Sequence, residues 1–299
     1  MNTNSIPIQT KSRFPTWLRR KILYSQNYKA TCSILSSMGI NTVCRSAKCP
    51  NLQECWGKGT ATFMICGDTC TRTCKFCAVS HGVPKPIDPH EPEKVASAAR
   101  KLKLTHVVIT SVTRDDLPDG GATHFKNVLD AVKNALPNAT TEVLVPDFNG
   151  NIDSIKIVIE AKPDVFNHNL ETVQRLTPVV RSRASYQRSL NVLKIAHMLS
   201  KNLIKIKSGL MVGLGETEPE VIATLKDLRN TGCTIVTIGQ YLQPGHDQLP
   251  VVEFIPPEQF SRYATIAYEL GFEFVASAPF VRSSYNANEL VKKFSPGGK

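Results

Sequence analysis

Two cysteine triplets lying close together constrain the fold of this chain more than any other feature. Cys70, Cys74 and Cys77 are spaced C-x3-C-x2-C. That spacing gathers three soft thiolates on one short loop, where they can hold three corners of an iron–sulfur cubane and leave the fourth iron without a protein ligand. An iron left open in this way can bind and change a small molecule. A second triplet, Cys44, Cys49 and Cys55, lies just upstream with four and then five intervening residues. Six cysteines between Cys44 and Cys77 argue for two clusters rather than one. The fold must therefore wrap two separate loops, each around its own inorganic core.

Other uses of cysteine fit less well. Disulfides need an oxidising compartment, yet the chain has nine cysteines, an odd number, and no apolar N-terminal run of the kind that directs secretion. Structural zinc sites usually combine two short-spaced pairs, and only Cys74 and Cys77 are so spaced. Cys32, Cys66 and Cys233 belong to neither triplet and read as small buried apolar residues. Cys66 is the one to watch, because it ends an apolar run four residues before the first cysteine of the downstream triplet.

From about residue 61 onward, apolar β-branched runs alternate with helical patterns. The runs are Ala61–Cys66, Thr105–Thr110, Thr141–Val145, Asp164–Asn167, Lys205–Met211, Thr234–Ile238 and Phe272–Val275. Between most of them lie Glu91–Lys103, Thr123–Leu136, Tyr186–Ser200, Glu218–Asn230 and Pro257–Leu270. Alternation of this kind builds a parallel α/β sheet with helices outside, and the pattern alone leaves an open doubly wound sheet and a barrel both possible. With 299 residues, 41% of them hydrophobic, the chain has enough material for one large domain and needs no second. No apolar run approaches the ~18 residues that span a bilayer. The net charge of +11 favours an acidic partner or a nucleic acid without choosing between them. Lys11, Arg13, Arg19, Arg20 and Lys21 contribute to it, and no Asp or Glu precedes Glu54. An acid-poor, Arg-containing start is also what a transit peptide looks like, but Phe14-Pro15-Thr16-Trp17-Leu18-Arg19-Arg20-Lys21 already resembles a known family's own N-terminal extension and leaves little ahead of it to be cleaved, so a cytoplasmic protein is expected. The tail Ser295–Lys299 is expected to be disordered.

The stretch Cys70-Thr71-Arg72-Thr73-Cys74-Lys75-Phe76-Cys77 resembles the signature loop of the radical S-adenosylmethionine (radical SAM) superfamily. Taken with the upstream triplet, it resembles the lipoyl synthase family within that superfamily. So do Arg114-Asp115-Asp116-Leu117-Pro118-Asp119-Gly120-Gly121, Val145-Pro146-Asp147-Phe148-Asn149-Gly150, His168-Asn169-Leu170-Glu171-Thr172, Gly213-Leu214-Gly215-Glu216-Thr217 and Arg282-Ser283-Ser284-Tyr285. The resemblance implies a partial (β/α)6 TIM-type barrel over residues 61–280. It implies an N-terminal extension over 1–60 that carries the auxiliary cysteines, and a C-terminal segment over 281–299. Site segments after strands then fall at the C-terminal rim, where barrel chemistry sits.

The resemblance also implies the chemistry. Two 4Fe–4S clusters and SAM are expected, with sulfur inserted at C6 and C8 of an octanoyl-lysine on a carrier protein. Cys70, Cys74 and Cys77 would hold the SAM-binding cluster, with Phe76 as apolar cover. Cys44, Cys49 and Cys55 would hold the auxiliary cluster, with Ser284 as its remaining ligand. From its surroundings alone Ser284 reads as an ordinary turn serine. Ser111, Asn167, Asn169 and Glu171 are the expected SAM contacts, although Asn and Asp after strands often only cap the next helix. Expected partners are octanoylated lipoyl-carrier domains, namely 2-oxoacid dehydrogenase E2 subunits and the glycine cleavage H protein. A reduced electron donor and an iron–sulfur carrier protein complete the set, with neither nucleic acid nor membrane. The competing readings are a sulfur-inserting radical SAM enzyme acting on a nucleic acid, and a cluster-bearing sensor or nucleic-acid module using the basic charge directly. Neither an appended RNA-binding segment nor an aromatic stacking set among the basic residues supports them.

Overall fold

The computed structural model describes residues 14–19 and 25–285. The basic residues Lys11, Arg13, Arg20 and Lys21 and the tail Ser295–Lys299 lie outside the described residues. Seven parallel strands form one sheet in sequence order: β1 (Thr62–Ile65), β2 (His106–Ser111), β3 (Thr140–Leu144), β4 (Val165–Asn167), β5 (Lys205–Val212), β6 (Ile235–Gln240) and β7 (Phe274–Ser277). Ahead of β1 stand α1 (Gln26–Ser37), α2 (Val43–Ser46) and α3 (Leu52–Gly57). Six strand-to-strand crossovers follow, carrying α4 (Glu91–Lys101), α5 (Ala122–Ala135), α6 (Ile152–Glu160), α7 (Thr177–Val180) with α8 (Tyr186–Ser200), α9 (Glu218–Asn230) and α10 (Pro257–Glu269). This is the partial (β/α)6 barrel, with β7 as an added last strand.

Six of the strand runs read from sequence recur within a residue or two. The first run is shorter than expected, because β1 stops at Ile65 and Cys66 turns the chain with φ +66°. The unforeseen α6 reads IDSIKIVIE, whose β-branched residues suggest a strand. It is a helix because the Asn151 side chain accepts from Asp153 N and Ser154 N at its start. Ile155, Val158 and Ile159 then share one buried face at helical spacing. α5 follows the same rule with Phe125, Val128, Leu129 and Val132, all fully buried. Each is worth about 1.5–3 kcal/mol of apolar burial.

Alternation along the strands separates two interiors. Outward-facing Val107, Ile109, Val143, Phe166, Ile206 and Val236 belong to the main core under the helices. Inward-facing Val165 and Ile235, with Phe274, form a small separate apolar floor. Beside it the barrel lumen is charged: Lys207 and Glu142 are both fully buried and bonded to each other. The sheet leaves β1 and β7 as edges. The β1 edge is covered, since Thr42 bridges antiparallel to Phe63 and Met64 N donates to Asn41 O at 2.9 Å. That contact brings the N-terminal extension alongside the barrel. No helix among the described residues is long and apolar enough to cross a membrane.

Candidate active site and metal centres

The downstream cysteines sit on the loop after β1, pinned to its neighbours by backbone bonds. Cys70 N donates to Ser80 O, and Gly82 N to Cys70 O, folding the loop on itself. Thr71 N donates to Thr113 O, Lys75 N to Val180 O and Leu249 N to Lys75 O, which ties the loop to the segments after β2, β4 and β6. One side chain inside the triplet does more. Arg72, 5% exposed, donates to Asp115 through Nε and Nη2, and Nη2 also reaches Asp147 Oδ1 at 2.8 Å and Asn149 Oδ1 at 2.8 Å. Burial alone would raise the Asp147 pKa, but Arg72, with His168 and Arg188 nearby, holds it well below the usual carboxylate range. Three motifs from three different strand ends thus meet on one guanidinium.

The three thiols are close enough to feel one another. Burial pushes Cys77 up to about 12, with Cys74 and Cys70 adding to the rise. Cys74 is raised by burial as well, against the opposing pull of Arg181. Half-buried Phe76 packs against the core between two of them, consistent with apolar cover.

The expected SAM contacts gather at the same rim. Ser111 Oγ, Asn167 Oδ1 and Asn169 Oδ1 are buried without a hydrogen-bond partner, as acceptors awaiting a ligand would be. Asn167 turns its Nδ2 down to Glu142 Oε1 at 3.1 Å, so it also belongs to the barrel floor. Asn169 Nδ2 donates to Glu171 Oε1 at 3.1 Å. Glu171 has φ +70°, and burial raises its pKa while Arg181 opposes the rise. Its charge is felt by both Cys74 and Cys77. His168, between the two asparagines, is a core residue: its ring nitrogens lie 2.9 Å from Val145 O and 3.0 Å from Ser189 Oγ. Burial, with Arg181 adding, pushes it down to about 4, so it is neutral near pH 7.

The segments 114–121 and 213–217 also make contacts within the protein. Asp115 is taken up by Arg72 and Asp116 by Arg114, whose Nη1 also donates to Cys66 O at 3.1 Å. The two glycines of 213–217 have positive φ, but a Cβ at Gly213 would run into the Gln240 side chain and Glu253 O. The close backbone approach there is to protein, and Thr217 with Glu220 forms a capping box for α9.

The upstream triplet lies on α2, the turn after it and α3. Cys49 N donates to Cys44 O, and Cys55 N to Asn51 O. Burial raises Cys55 to about 12, with Cys49 and Cys44 contributing. A cavity of about 260 Å³ is lined by Cys44, Cys49, Cys55 and, from the other end of the chain, Ser284. Thr62 Oγ1 donates to Ser284 Oγ at 2.8 Å, Asn51 Nδ2 donates to Phe280 O at 2.7 Å, and Tyr285 OH donates to Glu54 Oε1 at 3.0 Å. Among the described residues no three His, Cys, Asp or Glu side chains converge tightly enough for a single metal ion. A lone ion draws all its ligands to within about 2.3 Å, whereas a cubane takes one thiolate per iron and spreads them apart. Both triplets, with soft donors and mutual electrostatic contact, fit the larger group.

Cys233 and Cys66 are buried and Cys32 is half-buried. Cys233 is fully buried and held at about 12 by burial, with its Sγ 3.2 Å from Ile235 O. The Cys66 thiol is raised by burial and by Glu91, and it packs where a Cβ on Gly121 would lie 3.1 Å away. Half-buried Cys32 packs against the main core.

Comparison with known proteins agrees with this geometry. The Radical SAM superfamily pattern matches residues 64–228. A lipoyl synthase from Caldanaerobacter subterraneus subsp. tengcongensis is 57% identical over 92% of this chain and 96% of its own length. The chain belongs to the lipoyl synthase family. A lipoyl synthase from Caldicellulosiruptor saccharolyticus is 52% identical over 95% of this chain and 99% of that protein, and one from Phocaeicola vulgatus is 51% identical over 93% and 97%. Among solved structures, Streptococcus suis SuiB bound to its precursor peptide SuiA superposes with TM-score 0.56 at 12% identity, covering 89% of this chain and 55% of that one. HydG, a maturase of the FeFe-hydrogenase, does so with TM-score 0.54 at 12% identity, covering 89% and 73%. These two likenesses concern the fold alone. As a member of the lipoyl synthase family the chain is a radical SAM sulfur-inserting enzyme, using SAM and a 4Fe–4S cluster.

Sequence reading missed three parts of the site: the Arg72 network, the Lys207–Glu142 pair and the Ser283–Asn169 contact described below. Charged residues in the middle of apolar strand runs were the available signal for the second. For the others only spatial proximity reveals the partner.

Proposed function

We propose that this lipoyl synthase family member inserts sulfur at C6 and C8 of an octanoyl chain in amide linkage to a lysine of a carrier protein, using two clusters with separate tasks. Cys70, Cys74 and Cys77 hold the cluster whose open iron binds SAM. Cys44, Cys49 and Cys55, with Ser284, hold the auxiliary cluster that supplies the sulfur. The bound clusters and SAM provide the one-electron chemistry that breaks unactivated C–H bonds, which acid–base side chains cannot do near neutral pH.

The chain's own residues supply binding, orientation and exclusion of water. Arg72 holds the catalytic loop against the ends of β2 and β3, and half-buried Phe76 lends it apolar cover on the side that packs against the core. Ser111, Asn167, Asn169 and Glu171 offer acceptors for the ammonium and hydroxyl groups of SAM. A serine oxygen is a poorer partner than thiolate for cluster iron, so Ser284 would hold its iron less firmly than the three cysteines would hold theirs.

The observation that carries this reading is the cavity in which Ser284 meets Cys44, Cys49 and Cys55 across more than two hundred residues of sequence. The carriers proposed are the lipoyl domains of 2-oxoacid dehydrogenase E2 subunits and the glycine cleavage H protein, with a reduced electron donor and an iron–sulfur carrier that rebuilds the auxiliary cluster. The net charge of +11 suits acidic carrier domains. The test is iron and sulfide content after anaerobic reconstitution, together with product analysis on an octanoylated lipoyl-domain peptide. About eight irons and a lipoylated peptide are expected. Loading of only one cluster, or an unmodified peptide, would overturn the reading.

A further inference from the structure

The segment 282–285 touches both halves of the site. Ser284 Oγ accepts from Thr62 in the auxiliary cavity, and Tyr285 reaches Glu54 between two cysteines of the upstream triplet. Ser283, next in the chain, makes its contact elsewhere. Its Oγ accepts from Asn169 Nδ2 at 2.6 Å. The same Asn169 nitrogen donates to Glu171 Oε1, and Asn169 Oδ1 has no partner although the residue is only 8% exposed.

The contact depends on a glycine. A Cβ at Gly209 would lie 2.8 Å from Asn169 Oδ1, 2.8 Å from Thr237 Oγ1 and 3.0 Å from Ser283 Oγ. Only a residue without a side chain lets the end of β4 and the C-terminal segment meet over β5. The terminal torsion of an asparagine is broad and roughly two-fold, so its orientation comes from hydrogen bonds. With its nitrogen held by Glu171 and Ser283, Asn169 presents its unpartnered oxygen toward the barrel interior.

We propose that Ser283 is a positioning residue that couples SAM binding to the seating of Ser284: its hydroxyl orients Asn169 for SAM, and Asn169 in return anchors the turn that carries Ser284. The proposal rests on the reading in which Asn169 meets SAM and Ser284 closes the auxiliary cluster. Coupling of this kind is reciprocal, so SAM must steady the auxiliary site by the factor that the seated turn contributes to SAM affinity. SAM would then bind preferentially while Ser284 is seated in the auxiliary cavity.

The experiment uses the anaerobically reconstituted full chain. SAM affinity is measured by equilibrium dialysis, and release of auxiliary iron to bipyridyl is followed with and without saturating SAM. In wild type, SAM slows iron release by about two- to tenfold, the scale of one hydrogen bond. Ser283→Ala weakens SAM binding by a similar factor and removes the response of iron release to SAM. The double variant Ser283→Ala/Asn169→Ala binds SAM no more weakly than Asn169→Ala alone. Gly209→Ala, which parts the two residues while leaving both hydrogen-bonding groups intact, also abolishes the response. A wild-type response in Ser283→Ala, or additive losses in the double variant, would overturn the coupling. Wild-type protein with a single cluster would overturn the two-cluster reading and the coupling with it. Two clusters whose iron release ignores SAM would overturn the coupling alone.

Discussion

Lys207 Nζ lies 2.8 Å from Glu142 Oε1 and 2.9 Å from Glu142 Oε2, with both side chains fully buried in the barrel lumen. His106 stands beside them with Nε2 3.6 Å from Glu142 Oε2, its other nitrogen on Thr140 Oγ1. His106 also lines the auxiliary cavity, so this charged floor borders the space where sulfur would be held. Two charges taken from water gain little net stability when paired, but breaking the pair strands one of them. Lys207→Met is therefore expected to destabilise the fold by about 3–5 kcal/mol, and Lys207→Met with Glu142→Leu to recover most of the loss. Urea unfolding of the two variants is the check; a double variant as unstable as the single would contradict the argument. Burial by itself would raise the Glu142 pKa, but Lys207 and His106 outweigh it and hold it at about 2. Its folded pKa thus lies below the unfolded value. The stabilisation is full above the ordinary carboxylate range and is lost as pH falls from there toward 2. The wild-type unfolding midpoint should fall across that window more steeply than that of the double variant.

Replacing Cys70, Cys74 and Cys77 together with Ala should halve the iron of the reconstituted protein and abolish SAM cleavage. Iron analysis and detection of 5′-deoxyadenosine decide the matter. Cleavage that survives the triple replacement would place the catalytic cluster elsewhere.

Replacing Cys44, Cys49 and Cys55 with Ala should also halve the iron, but SAM should still be cleaved, because the loop after β1 is held by its own bonds to Thr113, Val180 and Leu249. No sulfur should reach the octanoyl peptide. Mass spectrometry of the peptide provides the measurement, and lipoylated product from this variant would mean a different sulfur source.

Ser284→Ala should leave three thiolates able to assemble the auxiliary cluster while impairing sulfur transfer by tenfold or more, on the order of the 1.4 kcal/mol that one ligand contact is expected to supply. Ser284→Cys should hold iron more firmly through a soft thiolate and also turn over more slowly. Ser283→Ala cannot serve as a silent neighbouring control, since its hydroxyl is bonded to Asn169. Thr62→Val is the informative companion: it removes the hydroxyl that donates to Ser284 Oγ without touching the proposed ligand, and a milder loss is expected. Sulfur transfer undiminished in Ser284→Ala would exclude Ser284 from the auxiliary site.

Much of the architecture was legible in the residue pattern because local physics decides it. Strand and helix periods placed β2 to β7 and five of the long helices, and the cysteine spacings located both candidate clusters. The α6 helix was not legible. Its β-branched residues favour a strand, and a single capping side chain, Asn151, together with one buried face, reverses that preference. Resemblance, rather than pattern, chose the barrel over an open sheet.

The sequence by itself determined which segments carry soft ligands, since three thiolates lie within the eight residues 70–77 and three more within the twelve residues 44–55. Only the tertiary structure decided what those segments meet. Arg72 finds Asp115 and Asp147, Lys207 finds Glu142, and Ser284 reaches the cysteines of the N-terminal extension, in each case across a long separation in the chain. Such pairings depend on strand register and on where a side chain points in a closed space. Neither composition nor local periodicity records that information.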